Sequence, residues 1–206
     1  MSFADYTSLK SALATDWLHR SDLTTAMGDF IALFESDFNA TIRHRQMETE
    51  TTITSTTGFI VHPANWLSWK QISGTHGGVK YDLQPVTDET ADLRGQSDVT
   101  GDLATRYKVK GTKTYIYPAT NAAFPTVYYQ GVGLTSGTNW LLTAYPGAYV
   151  YGTLLQAMAA TGNDPRVPLW SAAFEAVLSR IRGDSRKAEN SGQVLQMSPD
   201  MGRRIP

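Results

Sequence analysis

The sequence predicts an α+β protein, in which helices from both ends of the chain form a bundle and a small antiparallel β-sheet is inserted between them. Three observations predict this fold class. Apolar residues near both ends recur every three or four positions, which is typical of helix faces. The middle of the chain is rich in Thr and Tyr in short runs, which favours strands. Helical and strand patterns are segregated rather than alternating, which distinguishes α+β from α/β proteins.

The composition is that of a folded protein without a global attraction to nucleic acids or acidic membranes. The chain has 206 residues, 41% of them apolar and 18% charged, and a formal net charge of −1 at pH 7. This length is sufficient for one domain with a sizeable core. The absence of cysteines excludes disulfides, cysteine-based zinc sites and thiol nucleophiles. The first residues lack a basic segment followed by an apolar one, so no signal peptide is expected.

Two antiparallel helices are predicted at the start of the chain. The first covers Asp5–His19, and the second begins at a cap provided by Ser21 or Asp22 and ends near the basic cluster 43–45, so that the pair occupies residues 5–46. The apolar face of the first consists of Tyr6, Leu9, Leu13 and Trp17. The apolar face of the second consists of Met27, Phe30, Ile31, Phe34, Phe38 and Ile42.

A β insertion is predicted over residues of about 48–132. The Thr-rich run 48–57 forms a strand that 59–61 extends until Pro63 stops it. A further strand is expected over Val79–Val86, followed by a short helix from Thr87 or Asp88 to Leu93 and a polar loop over 95–101. Three runs between residues 106 and 131, with Gly111 at the first turn, suggest an antiparallel meander.

Two helices are predicted after the insertion, over residues 139–182. The stretch Thr138–Ala160 is uncharged, but its Thr, Asn, Gly and Gln residues favour a buried soluble helix over a membrane span. Pro146 divides it into a short turn over 139–144 and a helix that Gly162 ends. The last helix begins at Asn163 or Asp164 and stops at Gly183. We therefore expect one domain over residues 1–183 and an extended tail over 184–206.

The aromatic stretch and the last helix supply the expected core of the bundle. Large aromatic side chains bury much apolar area, and Tyr keeps a polar tip that suits an interface. Tyr149 and Tyr151 lie about 200° apart on a helix, so one of them should face the bundle and the other a second layer or a second subunit. The predicted core residues are Trp140, Leu141, Tyr145, Tyr149, Leu154, Trp170 and Phe174.

No motif for catalysis, cofactor binding or metal binding is present. The nucleophile elbow, phosphate-binding loop, dinucleotide-binding and zinc-protease motifs are all missing. The histidines lack metal-ligand spacing and are expected at the surface or its boundary; they are His19, His44, His62 and His76. An acidic series could bind a cation or could simply be a capped helix and a solvated loop; it consists of Asp88, Glu89, Asp92, Asp98 and Asp102.

Basic residues near the end of the last predicted helix have two interpretations. They interact favourably with the negative end of the helix dipole, or they form a patch that meets an acidic partner or DNA. The residues are Arg180, Arg182, Arg186 and Lys187.

The pattern N-W-L-L-x-x-Y-P-x-x-Y-x-Y-G-x-L over Asn139–Leu154 resembles the head-to-tail adaptor (connector, or head-completion) proteins of tailed bacteriophages. The similarity extends over residues 5–182, with His62 and Asn65 as departures from the usual apolar residue and Asp. The other matching segments, in order, are 49–57 (Thr-rich), 62–67 (HPANWL), 107–111 (YKVKG), 115–118 (YIYP), 127–129 (VYY) and Trp170.

This resemblance implies a virion structural protein of the neck without enzymatic activity or cofactors. Such adaptors form a ring, typically of twelve copies, beneath the portal protein; the ring extends the channel through which double-stranded DNA passes and provides a platform for the next tail protein. The protein would reside in the host cytoplasm during assembly. The alternatives are another tail-interface module, such as a tail terminator or tube-completion protein, or a cation-dependent enzyme that uses the acidic loop 88–102.

The resemblance also implies that the C-terminal segment reaches toward the portal. A polar tail with spaced apolar anchors can order when it binds a partner. The expected partner-binding residues are Arg180, Arg182, Arg186, Lys187, Val194, Leu195, Met197, Met201, Arg203 and Arg204.

Overall fold

Helices and β-sheets both form in the protein, and the α+β prediction is confirmed. The computed structural model describes residues 3–87, 103–162 and 164–189. Within these ranges the bundle contains α1 (Tyr6–Ala12), α2 (Met27–Thr41), α3 (Trp140–Ala144), α4 (Pro146–Thr161) and α5 (Val167–Glu189). The short helix expected between residues 87 and 93 lies outside the described residues.

The N-terminal helix begins with a reciprocal cap. The Asp5 carboxylate accepts a hydrogen bond from the Ser8 backbone N–H (2.8 Å), and the Ser8 hydroxyl oxygen accepts one from the Asp5 N–H (3.0 Å). A π-helical segment, Leu13–Trp17, continues α1. The second helix begins at Met27 rather than near Ser21, because Ser21–Leu23 forms a separate 3₁₀ turn.

The aromatic stretch divides at Pro146 as its sequence predicts. The Asn139 side chain caps α3 by accepting a hydrogen bond from the Leu142 N–H (2.8 Å). Pro146 is the first residue of α4, and Gly162 follows its last residue with φ +79°. The positive φ is available to glycine without a steric penalty, which explains why the helix ends there.

The last helix continues past its predicted end. The stop expected at Gly183 is wrong, since α5 runs through this residue to Glu189. Contacts beyond the glycine explain the continuation, because Ser185 is buried and Asp184 accepts a hydrogen bond from the Tyr145 hydroxyl (2.9 Å). The first six residues of the expected extended tail are therefore helical, and residues 190–206 lie outside the described residues.

The insertion forms two sheets instead of one small antiparallel sheet. One sheet has the strand order β1-β8-β3-β4 and is antiparallel throughout. The other has the order β2-β7-β6-β5, and its β5–β6 pair is parallel. The strands are β1 (Glu48–Thr54), β2 (Phe59–Val61), β3 (Trp66–His76), β4 (Val79–Asp82), β5 (Gln84–Pro85), β6 (Arg106–Lys110), β7 (Lys113–Tyr117) and β8 (Ala123–Gln130).

Three strand predictions need correction. The single strand expected over Val79–Val86 divides into β4 and β5, which lie in different sheets. β2 does not extend β1, because a turn with Gly58 at φ +77° sends it to the other sheet. The β6–β7 hairpin is confirmed, but β8 leaves the expected meander and lies between β1 and β3, where alternate residues such as Phe124 and Tyr128 are buried. The eleven-residue strand β3 was not predicted, since apolar and polar residues alternate only weakly in its sequence. The irregularity continues in its pairing with β8, which contains two register shifts.

The bundle core depends on a close approach between α2 and α4. A β-carbon added at Gly152 in α4 would overlap the Phe34 ring of α2. Phe34 also packs edge-on against Tyr149, with 5.2 Å between ring centroids, and against Phe174, at 6.0 Å. The absence of a side chain at position 152 therefore sets how closely the N-terminal and C-terminal helices can pack.

We expect Gly152→Ala to lower the free energy of unfolding by about 1–3 kcal/mol, because the methyl group forces Phe34 from its position. Gly183→Ala is the matched control: it lies inside α5 with open space around it. Since Ala favours helix over Gly, that variant should gain about 1 kcal/mol. Urea denaturation of both variants measures the difference, and a Gly152→Ala protein as stable as the wild type would contradict the packing argument.

Candidate assembly surfaces

A side-chain amide joins the bundle to the β insertion. The Asn39 amide of α2 donates to the Val132 carbonyl oxygen, and its oxygen accepts from the Val132 N–H, each at 2.8 Å. The amide thus occupies both backbone groups of the residue that follows β8 by two positions. These two hydrogen bonds fix where the insertion returns to the bundle.

A polar network surrounds the buried side chain of Tyr149, and its other two members, Glu35 and Asn139, are half-buried. The Tyr149 hydroxyl donates to the Glu35 carboxylate (2.6 Å) and accepts from the Asn139 side-chain amide (2.7 Å). Burial raises the pKa of Glu35, and burial together with Glu35 raises the pKa of Tyr149 far above its usual range. The network links α2, α4 and the cap of α3, so its evident effect is to position these three elements.

The residues predicted for the core differ in their burial. Four are buried, namely Leu141, Tyr149, Leu154 and Trp170. Three are half-buried and pack against the same core, namely Trp140, Tyr145 and Phe174. Tyr151 is half-buried on another side of α4, where its ring meets Trp17 edge-on at 5.9 Å. Within the monomer, Tyr149 therefore faces the bundle and Tyr151 faces the N-terminal helix.

His44 is buried, so the expectation of a surface or boundary position is wrong for this histidine. Its exposed fraction is 3%, and its ring stacks on Trp140 with 4.8 Å between centroids. Nδ1 accepts a hydrogen bond from the Gln46 N–H (3.2 Å), whereas Nε2 is buried and has no hydrogen-bond partner among the described residues. Burial lowers the pKa of His44. No sequence signal predicts this contact, because Trp140 lies far along the chain.

The four basic residues of α5 do not form a single patch. All are exposed, but a helical rotation of 100° per residue places Arg180 and Lys187 on one flank and Arg182 and Arg186 on another. Asp184 lies between the first two, 3.8 Å from the Arg180 Nε and 3.9 Å from the Lys187 Nζ. Its carboxylate offsets their charge. The basic flank formed by Arg182 and Arg186 also carries two exposed carboxylates, since Glu175 and Glu189 fall within the same arc of about 60°.

A groove of about 370 Å³ lies between α2 and α5. Its apolar floor and charged rim resemble the centre and rim of a protein interface. Arg182 of the basic flank borders it, and Asp37 on the opposite side accepts a hydrogen bond from Gln156 (2.7 Å). The remaining lining residues are Phe38, Ala40, Thr41, Phe174, Glu175 and Leu178.

The other predicted site residues lie outside the described residues. These are the acidic series between 88 and 102 and the tail residues Val194, Leu195, Met197, Met201, Arg203 and Arg204. Within the described ranges, no group of three His, Asp or Glu residues could hold a metal ion. Among the described helices, none combines the length and the hydropathy needed to cross a membrane.

A comparison with protein families matches residues 4–197 to the SU10 adaptor protein family. The chain belongs to the SU10 adaptor protein family. This family is consistent with a phage head-to-tail adaptor, and the resemblance noted in the sequence is confirmed. The adaptor is therefore a phage structural protein of a family that is not an enzyme class. A comparison with curated proteins finds no match.

We expect the stability of this adaptor to depend on pH through the buried His44. Its pKa is lower in the folded protein than its ordinary value of 6.5, so the unfolded chain takes up a proton more readily as the pH falls. Stability is therefore retained above that value and lost on acidification. We expect His44→Phe, which keeps an aromatic ring against Trp140, to lose less thermal stability than the wild type between about pH 7.5 and 5.5.

The control for this experiment is His76→Gln, since His76 is exposed at the end of β3. When the pH is lowered, the melting temperature of His76→Gln should fall as steeply as that of the wild type. Glu35, whose raised pKa acts in the opposite direction, is present in all three proteins and cancels in the comparison. Equal slopes for the wild type and His44→Phe would show that His44 does not contribute.

Proposed function

We propose that the adaptor forms a ring beneath the portal protein, extends the DNA channel and provides the docking platform for the next tail component. The family match over residues 4–197 carries this proposal. The ring would hold about twelve copies, as the family resemblance implies. Double-stranded DNA would pass through it without sequence-specific binding, in keeping with the formal net charge of −1. The protein would occupy the neck of the virion after assembly in the host cytoplasm.

The C-terminal end of α5 is the proposed portal-facing side. Arg182 and Arg186 form an exposed basic flank there, and the groove between α2 and α5 offers an apolar floor beside it. The tail that follows contributes apolar anchors and two further arginines, Arg203 and Arg204. A surface of this kind suits a partner with acidic and apolar side chains.

Mixing the purified adaptor with portal particles tests the assembly. We expect light scattering to show a closed oligomer, formed either alone or on the portal, and cryo-electron microscopy to place it between the portal and the tail. Arg182→Glu/Arg186→Glu should weaken portal binding, because repulsion replaces attraction at the basic flank. The matched control is Arg180→Glu/Lys187→Glu on the other flank, which should bind more nearly like the wild type. A protein that stays monomeric and ignores portal particles would refute the proposal.

Removal of residues 191–206 tests the tail. The bundle and both sheets lie within residues 3–189, so the truncated protein should keep the circular dichroism spectrum and cooperative melting of the full chain. Portal binding should weaken, since the tail's apolar and basic residues are gone. A truncated protein that binds portal particles with unchanged affinity would exclude the tail from docking.

A further inference from the structure

The antiparallel sheet has two open edges, formed by β1 and β4. Within the described residues β1 pairs only with β8, and β4 pairs only with β3. Two glutamates at the start of β1, Glu48 and Glu50, are its only charged residues. The part from Thr51 to Thr54 has neither a charge nor a Pro, and the register with β8 continues through it without a bulge. Unpaired backbone groups on such an edge favour the addition of another strand.

The outward-pointing backbone groups on β1 can be identified from the hydrogen bonds of the sheet. The Ser55 N–H donates to the Ala122 carbonyl oxygen (2.9 Å), one position beyond the last pair of the β1–β8 register. Because an antiparallel strand bonds to its neighbour at every second residue, Ile53 and Thr51 also bond to β8. The N–H and C=O groups of Thr52 and Thr54 therefore point to the open edge, and both residues are exposed.

The same reasoning applies to β4. The Leu83 N–H donates to the Ile72 carbonyl oxygen of β3 (2.8 Å), so Tyr81 also bonds to β3. The N–H and C=O groups of Lys80 and Asp82 consequently point away from β3, and both residues are exposed.

The residues of the two open edges can be aligned with each other through the register of the strands between them. Thr51 lies opposite Thr126, Thr126 lies opposite Ile72, and Ile72 bonds to Leu83. Thr51 of β1 and Leu83 of β4 are therefore level. Thr52 is then level with Asp82, and Thr54 is level with Lys80, since the two strands run in opposite directions.

We propose that β1 of one copy pairs with β4 of the next copy, so that the sheets of a ring form one continuous antiparallel sheet. Thr52 would exchange two backbone hydrogen bonds with Asp82 of the next copy, and Thr54 two with its Lys80. A sheet of four alternating strands begins and ends with opposite strand directions, so head-to-tail repetition makes every junction antiparallel. Such a contact joins two different surfaces of neighbouring copies, which is the kind of contact that a ring requires.

This inference rests on the proposed ring. A pair of cysteines distinguishes a failure of the strand pairing from a failure of the ring itself. Thr54→Cys/Lys80→Cys places one thiol on each open edge of a protein that has no cysteine. Within one copy the two residues lie three strand spacings apart, about 14 Å, which exceeds the reach of a disulfide. Across the proposed junction their Cα atoms come within about 5.5 Å, so oxidation of the assembled protein should give a reducible ladder of cross-linked copies.

The matched control is Thr51→Cys/Lys80→Cys, because Thr51 points to the opposite face of the sheet and should give no ladder. An assembled protein in which Thr54→Cys/Lys80→Cys gives no ladder overturns the strand pairing and leaves the ring intact. A protein that never assembles, even on portal particles, refutes the ring and the pairing together. A ladder of cross-linked copies forms only if the ring and the pairing of β1 with β4 are both correct.

Proline substitutions provide a second measurement. Thr52→Pro and Lys80→Pro each remove an outward N–H, which an edge strand tolerates. Each folded variant alone should fail to form rings. A mixture of the two should form dimers, because the intact β4 edge of Thr52→Pro can pair with the intact β1 edge of Lys80→Pro. Thr52→Val retains the N–H and should assemble normally. Rings formed by either folded proline variant at the wild-type concentration would overturn the pairing.

Discussion

The contact between Phe34 and the backbone at Gly152 is the constraint on which the bundle depends. It joins a helix from the first part of the chain to one from the last part, across the whole β insertion. Tyr149 and Phe174 pack around the same ring, and the partners of the Tyr149 hydroxyl are then Glu35 and Asn139. The polar network thus follows from the apolar contact, since burial of the phenol requires its hydroxyl to be satisfied.

A second buried polar group unites the two sheets. The Thr114 hydroxyl of β7 accepts a hydrogen bond from the Trp69 Nε1–H of β3 (2.6 Å) and bonds to the His62 Nε2 (2.8 Å). Thr114 is fully buried, so these bonds are shielded from water. The sheets therefore share an interior, with Ile60, Ile72, Ile116 and Phe124 among its apolar members. Two sheets that were expected as one small sheet behave as a single inserted unit.

Local signals predicted the bundle better than the insertion. Asn139, Pro146 and Gly162 determine nearby backbone geometry, so their helix boundaries could be predicted from the sequence. Gly183 could not be interpreted in this way, because contacts made by the following residues carry α5 onward. The partners of β8 and the burial of His44 depend on residues distant in sequence, which periodicity does not report. The separation of the basic residues of α5 onto two flanks could not be predicted, because it requires the helix to extend beyond Gly183.

The pairing of β1 with β8 brings the beginning and end of the insertion together, with Glu48 opposite Tyr129. The chain thus leaves and re-enters the bundle at neighbouring points, and the Asn39 amide secures the point of return. Among the described residues of the strands, only those at the sheet end nearest this junction contribute to the helical core, through Leu67 and Tyr129, whereas the two sheets enclose an interior of their own. The insertion thus meets the bundle at one end and buries most of its apolar side chains within itself.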